Sequence, residues 1–174
     1  MVSRVEDSFI PIVIDIEASG LGETSYPVEI GLVMPNGSSY CYLIQPYSNW
    51  THWDEVAERL HGLSRKTADR FGMNGEYVAR QLNKHLENQT VYSDRWEDDN
   101  KWLTMLFDQA GIRQKFQLTQ LDDIITDDQK TIWEATRNIV IHESGLKRHR
   151  ASSDARIVQT TWVRSLPAGR SQSF

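Results

Sequence analysis

Two carboxylates spaced two residues apart, Asp15 and Glu17, close the most apolar run of the chain, Phe9 to Ile16 (FIPIVIDI). Side chains at i and i+2 of a strand share a face. A strand that reached Glu17 would therefore hold two like charges side by side at the edge of a buried sheet. Such a pair repels, burial raises the cost, and a bound cation removes the conflict. If the strand stops before Asp15, both acids are solvated loop residues instead. Asp99 raises a similar question. On a helix beginning near Glu97, Trp102, Leu103 and Leu106 follow it at i+3, i+4 and i+7, which puts it on the apolar stripe. A first-turn acid favoured by the helix dipole is the other reading, and it also accounts for Glu97 and Asp98. Asp154 repeats the pattern, with Ile157, Val158, Thr161 and Trp162 one and two turns on, and His149 lies five residues before it among Lys147, Arg148 and Arg150. Four acids and a histidine thus stand at the start or end of regular elements, where they can face one cleft. Oxygen-only ligands select hard cations such as Mg²⁺ or Mn²⁺. Two such ions about 3.5–4 Å apart form the standard clamp for in-line phosphoryl displacement.

The elements that must position these groups follow from hydrophobic periodicity. Phe9–Ile16 and Val28–Met34 read as strands, and Ser38–Ile44 as a third after the Pro35-Asn36-Gly37 turn, giving a three-stranded antiparallel meander. Short helices are expected over Asp54–Leu60 and from a Ser64 cap to Phe71, with a longer one over Gly75–Leu86. A strand at Thr90–Ser93 precedes a helix over Glu97–Ala110 that stops at Gly111. Gln117–Ile125 holds a last strand, and Asp128–Ser144 is helical with Ile132, Ala135, Ile139 and Val140 on one stripe. Ser152 or Ser153 opens a final helix that runs to about Leu166. Strands first, then helices alternating with strands, predict a mixed α/β sheet with helices packed on it. Residues 1–166 are expected to form one domain and 167–174 a loose tail.

Composition narrows the class. The chain has 174 residues, 39% hydrophobic and 25% charged, the profile of a single globular domain. No run approaches the roughly 20 apolar residues of a membrane helix. The polar N-terminal stretch MVSRVEDSF lacks an apolar signal core, so a cytoplasmic protein without membrane association is expected. A lone cysteine, Cys41, excludes an internal disulfide and a cysteine-based zinc site. The net charge of −5 argues against a broad basic surface for nucleic acid, whereas two bound divalent ions would bring the chain close to neutral. Trp102, Trp133 and Trp162 lie on apolar helix faces and read as core, leaving Trp50 and Trp53 as the better candidates for contact with bases or a partner.

Several segments, in order, resemble the DEDDh 3′→5′ exonuclease family. VIDIEASGL (Val13–Leu21) resembles its first motif, a D-x-E closing the first strand before a small-residue turn and Gly-Leu. VEIGLV (Val28–Val33) resembles its second strand, and Leu43–Pro46 with Leu60-His61-Gly62-Leu63 resemble the segment that approaches the substrate end. Asp99-x-x-Trp102-Leu103 is similar to the second motif and HRASSD (His149–Asp154) to the third, H-x-A-x-x-D. Relatives include ribonuclease T, oligoribonuclease and the proofreading subunit of bacterial DNA polymerase III. The likeness runs from about Phe9 to Val163 and departs at two places. YSDRWEDDNKWL also offers Asp94 for the second motif, and Ala18-Ser19 replace the usual paired threonines.

The resemblance implies a ribonuclease H-like fold, a mixed five-stranded sheet flanked by helices. It implies two Mg²⁺ or Mn²⁺ ions on Asp15, Glu17, Asp99 and Asp154, with His149 as general base. Ala18, Ser19, Leu21 and His61 would border the terminal nucleotide, and Arg150 would meet phosphate. The substrate would be single-stranded DNA or RNA, or else very short oligonucleotides. A non-catalytic nucleic-acid-processing module is the reading from another class, and a homodimer is left open.

Overall fold

A computed structural model describes residues 9–167; residues 168–174, most of the expected tail, lie outside the described part. Three antiparallel strands come first: β1 (Ile12–Ala18), β2 (Pro27–Val33) and β3 (Ser39–Leu43). The Asn36-Gly37 turn joins the last two, with Gly37 at φ +82°, a conformation that favours a residue without Cβ. β4 (Thr90–Ser93) and β5 (Gln117–Gln120) then add in parallel on the far side of β1, giving the order β3-β2-β1-β4-β5. β1 is therefore central and buried on both faces, which is why its first three residues, Ile12, Val13 and Ile14, are all β-branched.

The alternation along β1 divides the core in two. Ile12, Ile14 and Ile16 point into the larger cluster. That cluster is closed by α3 (Gly75–Leu86), through Val78, Ala79, Leu82 and Leu86, and by α4 (Trp96–Ala110), through Trp102, Leu103, Leu106 and Phe107. Val13 points the other way, into a smaller cluster with Val33 of β2 and with Ala155, Val158 and Trp162 of α6 (Ala151–Arg164). On that face α5 (Asp127–Ser144) packs against α6. Two short helices, α1 (Glu55–His61) and α2 (Arg65–Phe71), link the meander to α3 and are capped by Asp54 and Ser64.

Most expected elements are present within a residue or two, with three corrections. On α5 the inward face is Gln129, Trp133, Thr136, Arg137 and Val140, while Ile132, Ala135 and Ile139 are exposed. Polar contacts replace apolar burial there: the Gln129 amide donates to Trp162 O and Ser165 Oγ, and Arg137 pairs with Asp94 at 3.3 Å. Neither Ser152 nor Ser153 caps α6. Its N-cap is Arg150, and Ala151 N–H is accepted by the carboxylate of Glu29 across on β2. Finally, Trp50 is buried and stacked on Tyr26 with ring centroids 5.1 Å apart, so it is core and not a platform for bases. No helix of the described residues is long and apolar enough to cross a membrane.

Candidate active site

Because β1 and β4 are parallel, their C-terminal ends lie on one edge of the sheet, where open α/β sheets place their ligand clefts. The first turns of α4 and α6 meet this edge. Strand β1 does not stop early: it runs through Asp15 and Glu17 to Ala18, so the two acids are strand residues. Asp15 is 8% exposed, and a bulge in the β1–β2 pairing at Glu17/Ala18 re-aims the strand end. Asp99 and Asp154 sit in the first turns of α4 and α6, where the helix dipole favours a negative charge, and are 1% and 7% exposed. The two readings of each acid thus merge: both are first-turn acids and both face inward.

Each carboxylate is held differently. Ser93, at the end of β4, donates its hydroxyl to Asp99 Oδ2 at 2.6 Å while accepting Arg95 N–H. Asp154 has both oxygens engaged by the loop before its own helix: Oδ1 accepts from Arg148 Nε at 2.7 Å and Oδ2 from His149 N–H at 2.8 Å. Asp15 is the contrast, because its Oδ2 is buried with no hydrogen-bond partner among the described residues. Burial pushes the Asp15 carboxyl well above its ordinary range, and the charges of Asp99 and Glu17 push it further. Burial likewise raises Asp99, and raises Glu17 to about 7, with Asp154 and Glu29 adding to the latter. These groups share a deficit of positive charge in a low-dielectric place. Asp94 is raised by burial too, but its carboxylate pairs with Arg137, which ties it to α5.

His149 completes the cluster. One ligand atom each of Glu17, His149 and Asp154 lie within 4.8 Å of one another. The histidine has φ +60°, a left-handed conformation uncommon for a residue with a side chain, and it is fixed there through its N–H bond to Asp154. The same loop is anchored on its other side. Arg150 forms a two-pronged ion pair with Glu29, whose Oε1 and Oε2 lie 3.1 and 3.0 Å from Arg150 Nε, and Glu29 is 1% exposed. Arg150 is therefore committed to the protein interior, not to a phosphate. Glu29 sits opposite Glu17 in the β1–β2 register, so the clamp borders the site directly.

The four residues expected around a terminal nucleotide behave less uniformly. Ala18 ends β1 and is buried, and Leu21 is 73% exposed. Ser19 is fully buried with its hydroxyl accepting Tyr26 N–H, so the side chain braces the turn. His61, at the end of α1, is 1% exposed; Nδ1 accepts Leu63 N–H, Nε2 is unpartnered among the described residues, and burial lowers its pKa. A depression of about 260 Å³ lies at the ends of β4 and β5, lined by Ser93, Asp94, Arg95 and Trp96 among others but by none of the four candidate ligand acids. Sequence reading missed Ser93, Arg148 and Glu29. Arg148 left a faint signal as part of the basic run before Asp154, whereas Ser93 and Glu29 left none.

All donors facing the cleft are oxygens apart from the imidazole, and Asp15 carries a buried, unpartnered oxygen. This donor set fits a hard divalent cation. Solved structures share this arrangement of strands and helices. An exonuclease I from Methylocaldum szegediense superposes with a TM-score of 0.67 at 12% identity, covering 91% of this chain and 41% of that one. The fold is ribonuclease H-like. E. coli exonuclease I in complex with a dA16 oligonucleotide gives 0.64 at 11% identity over 91% of this chain and 40% of that one. The zinc-bound E. coli exonuclease I–ssDNA complex gives 0.60 at 11% over 89% and 39%. The chain thus spans about two fifths of these exonuclease I chains. No family model and no curated protein matches the sequence.

Proposed function

We propose that this chain is a metal-dependent 3′→5′ exonuclease of the DEDDh class that hydrolyses phosphodiester bonds at the 3′ end of single-stranded nucleic acid, with residues 1–166 as one exonuclease domain. The observation that carries the reading is the grouping of Glu17, His149 and Asp154 at one sheet edge beside Asp15, whose buried oxygen has no partner among the described residues and whose carboxyl feels the charge of Asp99. The ribonuclease H-like fold and neighbours crystallised with single-stranded oligonucleotides support it. Asp15, Glu17, Asp99 and Asp154 would hold two ions, Mg²⁺ or Mn²⁺. Such ions supply Lewis-acid activation of the attacking water and stabilise the leaving oxygen.

The chain's own residues have the remaining tasks. Ser93 locks one Asp99 oxygen in place and so sets which oxygen faces the cleft. His149, fixed at its backbone by Asp154, accepts the proton of the attacking water. The Glu29–Arg150 clamp holds the loop so that the ring cannot drift from Glu17 and Asp154. Ala18, at the end of β1, and Leu21, just beyond it, border the terminal nucleotide, with His61 at its side.

The test is digestion of 5′-labelled DNA and RNA strands, from dinucleotide to about 30 nucleotides, with Mg²⁺ or with EDTA. A ladder shrinking from the 3′ end, absent in EDTA, is expected. His149→Asn should lose roughly 10²–10⁴-fold in turnover while retaining metal binding. Cleavage that persists in EDTA, or a His149→Asn enzyme within a few fold of wild type at every pH, overturns the reading.

A further inference from the structure

The acids of the site are not equally short of positive charge. Asp15 has a buried oxygen with no partner, whereas Asp154 already has a cation. The Arg148 guanidinium lies 2.7 Å from Asp154 Oδ1, its side chain 35% exposed and that of Asp154 10% exposed. With His149 N–H on the other oxygen, each Asp154 oxygen accepts one hydrogen bond from its own loop. Yet one ligand atom of Asp154 lies within 4.8 Å of ligand atoms of Glu17 and His149, in a position to share an ion with Glu17. A guanidinium and a divalent ion held on the same carboxylate are like charges a few ångströms apart, and they repel.

We propose that Arg148 is a built-in counter-cation that occupies Asp154 when no ion is bound and that a divalent ion must displace. This rests on the metal-dependent reading of the site. Binding at Asp154 is then an exchange of one cation for another, and its affinity is set below what the acids alone would give. Lys147, the preceding residue, carries the same charge on an exposed side chain, yet no ion pair with an acid is found for it among the described residues. Arg150 is committed to Glu29. Arg148 is the cation of this loop that competes.

The experiment is calorimetric titration of the metal-free protein with Mn²⁺, for wild type, Arg148→Gln, Arg148→Lys and Lys147→Gln. A partly exposed, well-aligned ion pair corresponds to roughly a three- to tenfold change in an equilibrium constant. Arg148→Gln should bind Mn²⁺ tighter by about that factor, Lys147→Gln by less than about twofold, and Arg148→Lys should stay near wild type because it keeps the charge beside Asp154. In EDTA, Arg148→Gln should melt lower than wild type, since Asp154 has then lost its partner. An Arg148→Gln affinity equal to or weaker than wild type, beside clear wild-type binding, overturns this inference and leaves the nuclease reading intact. A Lys147→Gln effect as large as that of Arg148→Gln also overturns it, because general electrostatics would then suffice. Absence of Mn²⁺ binding from all four proteins overturns both readings together.

Discussion

At the residue scale the acids of the site destabilise the protein that carries them. Folding moves Glu17 from an ordinary value of 4.5 to about 7, and burial moves Asp15 and Asp99 in the same direction. A raised folded-state value means that the native state holds the proton more tightly than the unfolded chain does. The contribution is fully present below about pH 4.5 and is lost as pH rises through about 7. In EDTA the melting temperature should therefore fall between about pH 5 and pH 8, and Mg²⁺ added at the upper end should restore it. A melting temperature that holds level or rises across that range would mean that the protein's own cations already neutralise the cluster. On the proposed reading Asp15→Asn abolishes cleavage, and the same linkage predicts that it leaves the metal-free protein at least as stable as wild type at pH 8. A clear loss of melting temperature in EDTA would mark Asp15 as a structural acid.

At the scale of elements, the sequence was legible wherever the determinant is local. The Asn36-Gly37 turn, the cap at Ser64 and the stop at Gly111 depend on residues a few positions apart, and all are present. The placement of Asp15, Glu17, Asp99 and Asp154 was legible for the same reason, since each sits at a fixed offset from an apolar pattern. What could not be read depends on distant partners. Glu29 looks like an ordinary polar position in a strand until Arg150, 121 residues on, reaches it. The inward face of α5 is carried by Gln129 and Arg137, whose partners Trp162, Ser165 and Asp94 belong to other elements, so apolar spacing pointed to the wrong side. Gly31 belongs with these. A Cβ there would stand 2.1 Å from Ser152 N and 2.2 Å from Ala151 C, because the first turn of α6 lies directly against β2. Gly31→Ala should force α6 and the His149 loop outward. A stability loss on the order of 1–3 kcal/mol or more is expected, with weakened Mn²⁺ binding. Wild-type melting and Mn²⁺ affinity in this variant would show that the close approach has slack.

At the scale of the whole molecule, the site joins the first strand to the last helix. The Gln159 side chain donates to Pro11 O across 148 residues of sequence, and β1 and β2 both pack on α6. The β2–β3 hairpin, by contrast, closes over a handful of residues. Loop-closure entropy rises by only about 0.6 kcal/mol for each doubling of length, but contacts this distant slow the search for them. During refolding from denaturant, recovery of far-UV helical signal should precede recovery of Mn²⁺ affinity, since most helices form without the α6–β1 contact. Simultaneous recovery of both signals would mean that the sheet cannot form without α6.

The clamp of Glu29 on Arg150 has a bearing on this order of events. A chain that has made β1 and β2 but not yet docked α6 carries Glu29 opposite Glu17 with no guanidinium to answer it. Arrival of the last helix brings Arg150 to one acid and Arg148 to another, together with His149 and Asp154. Docking of α6 therefore neutralises the unfinished sheet edge and gathers these groups in one movement; on the proposed reading, a half-folded chain would not cut.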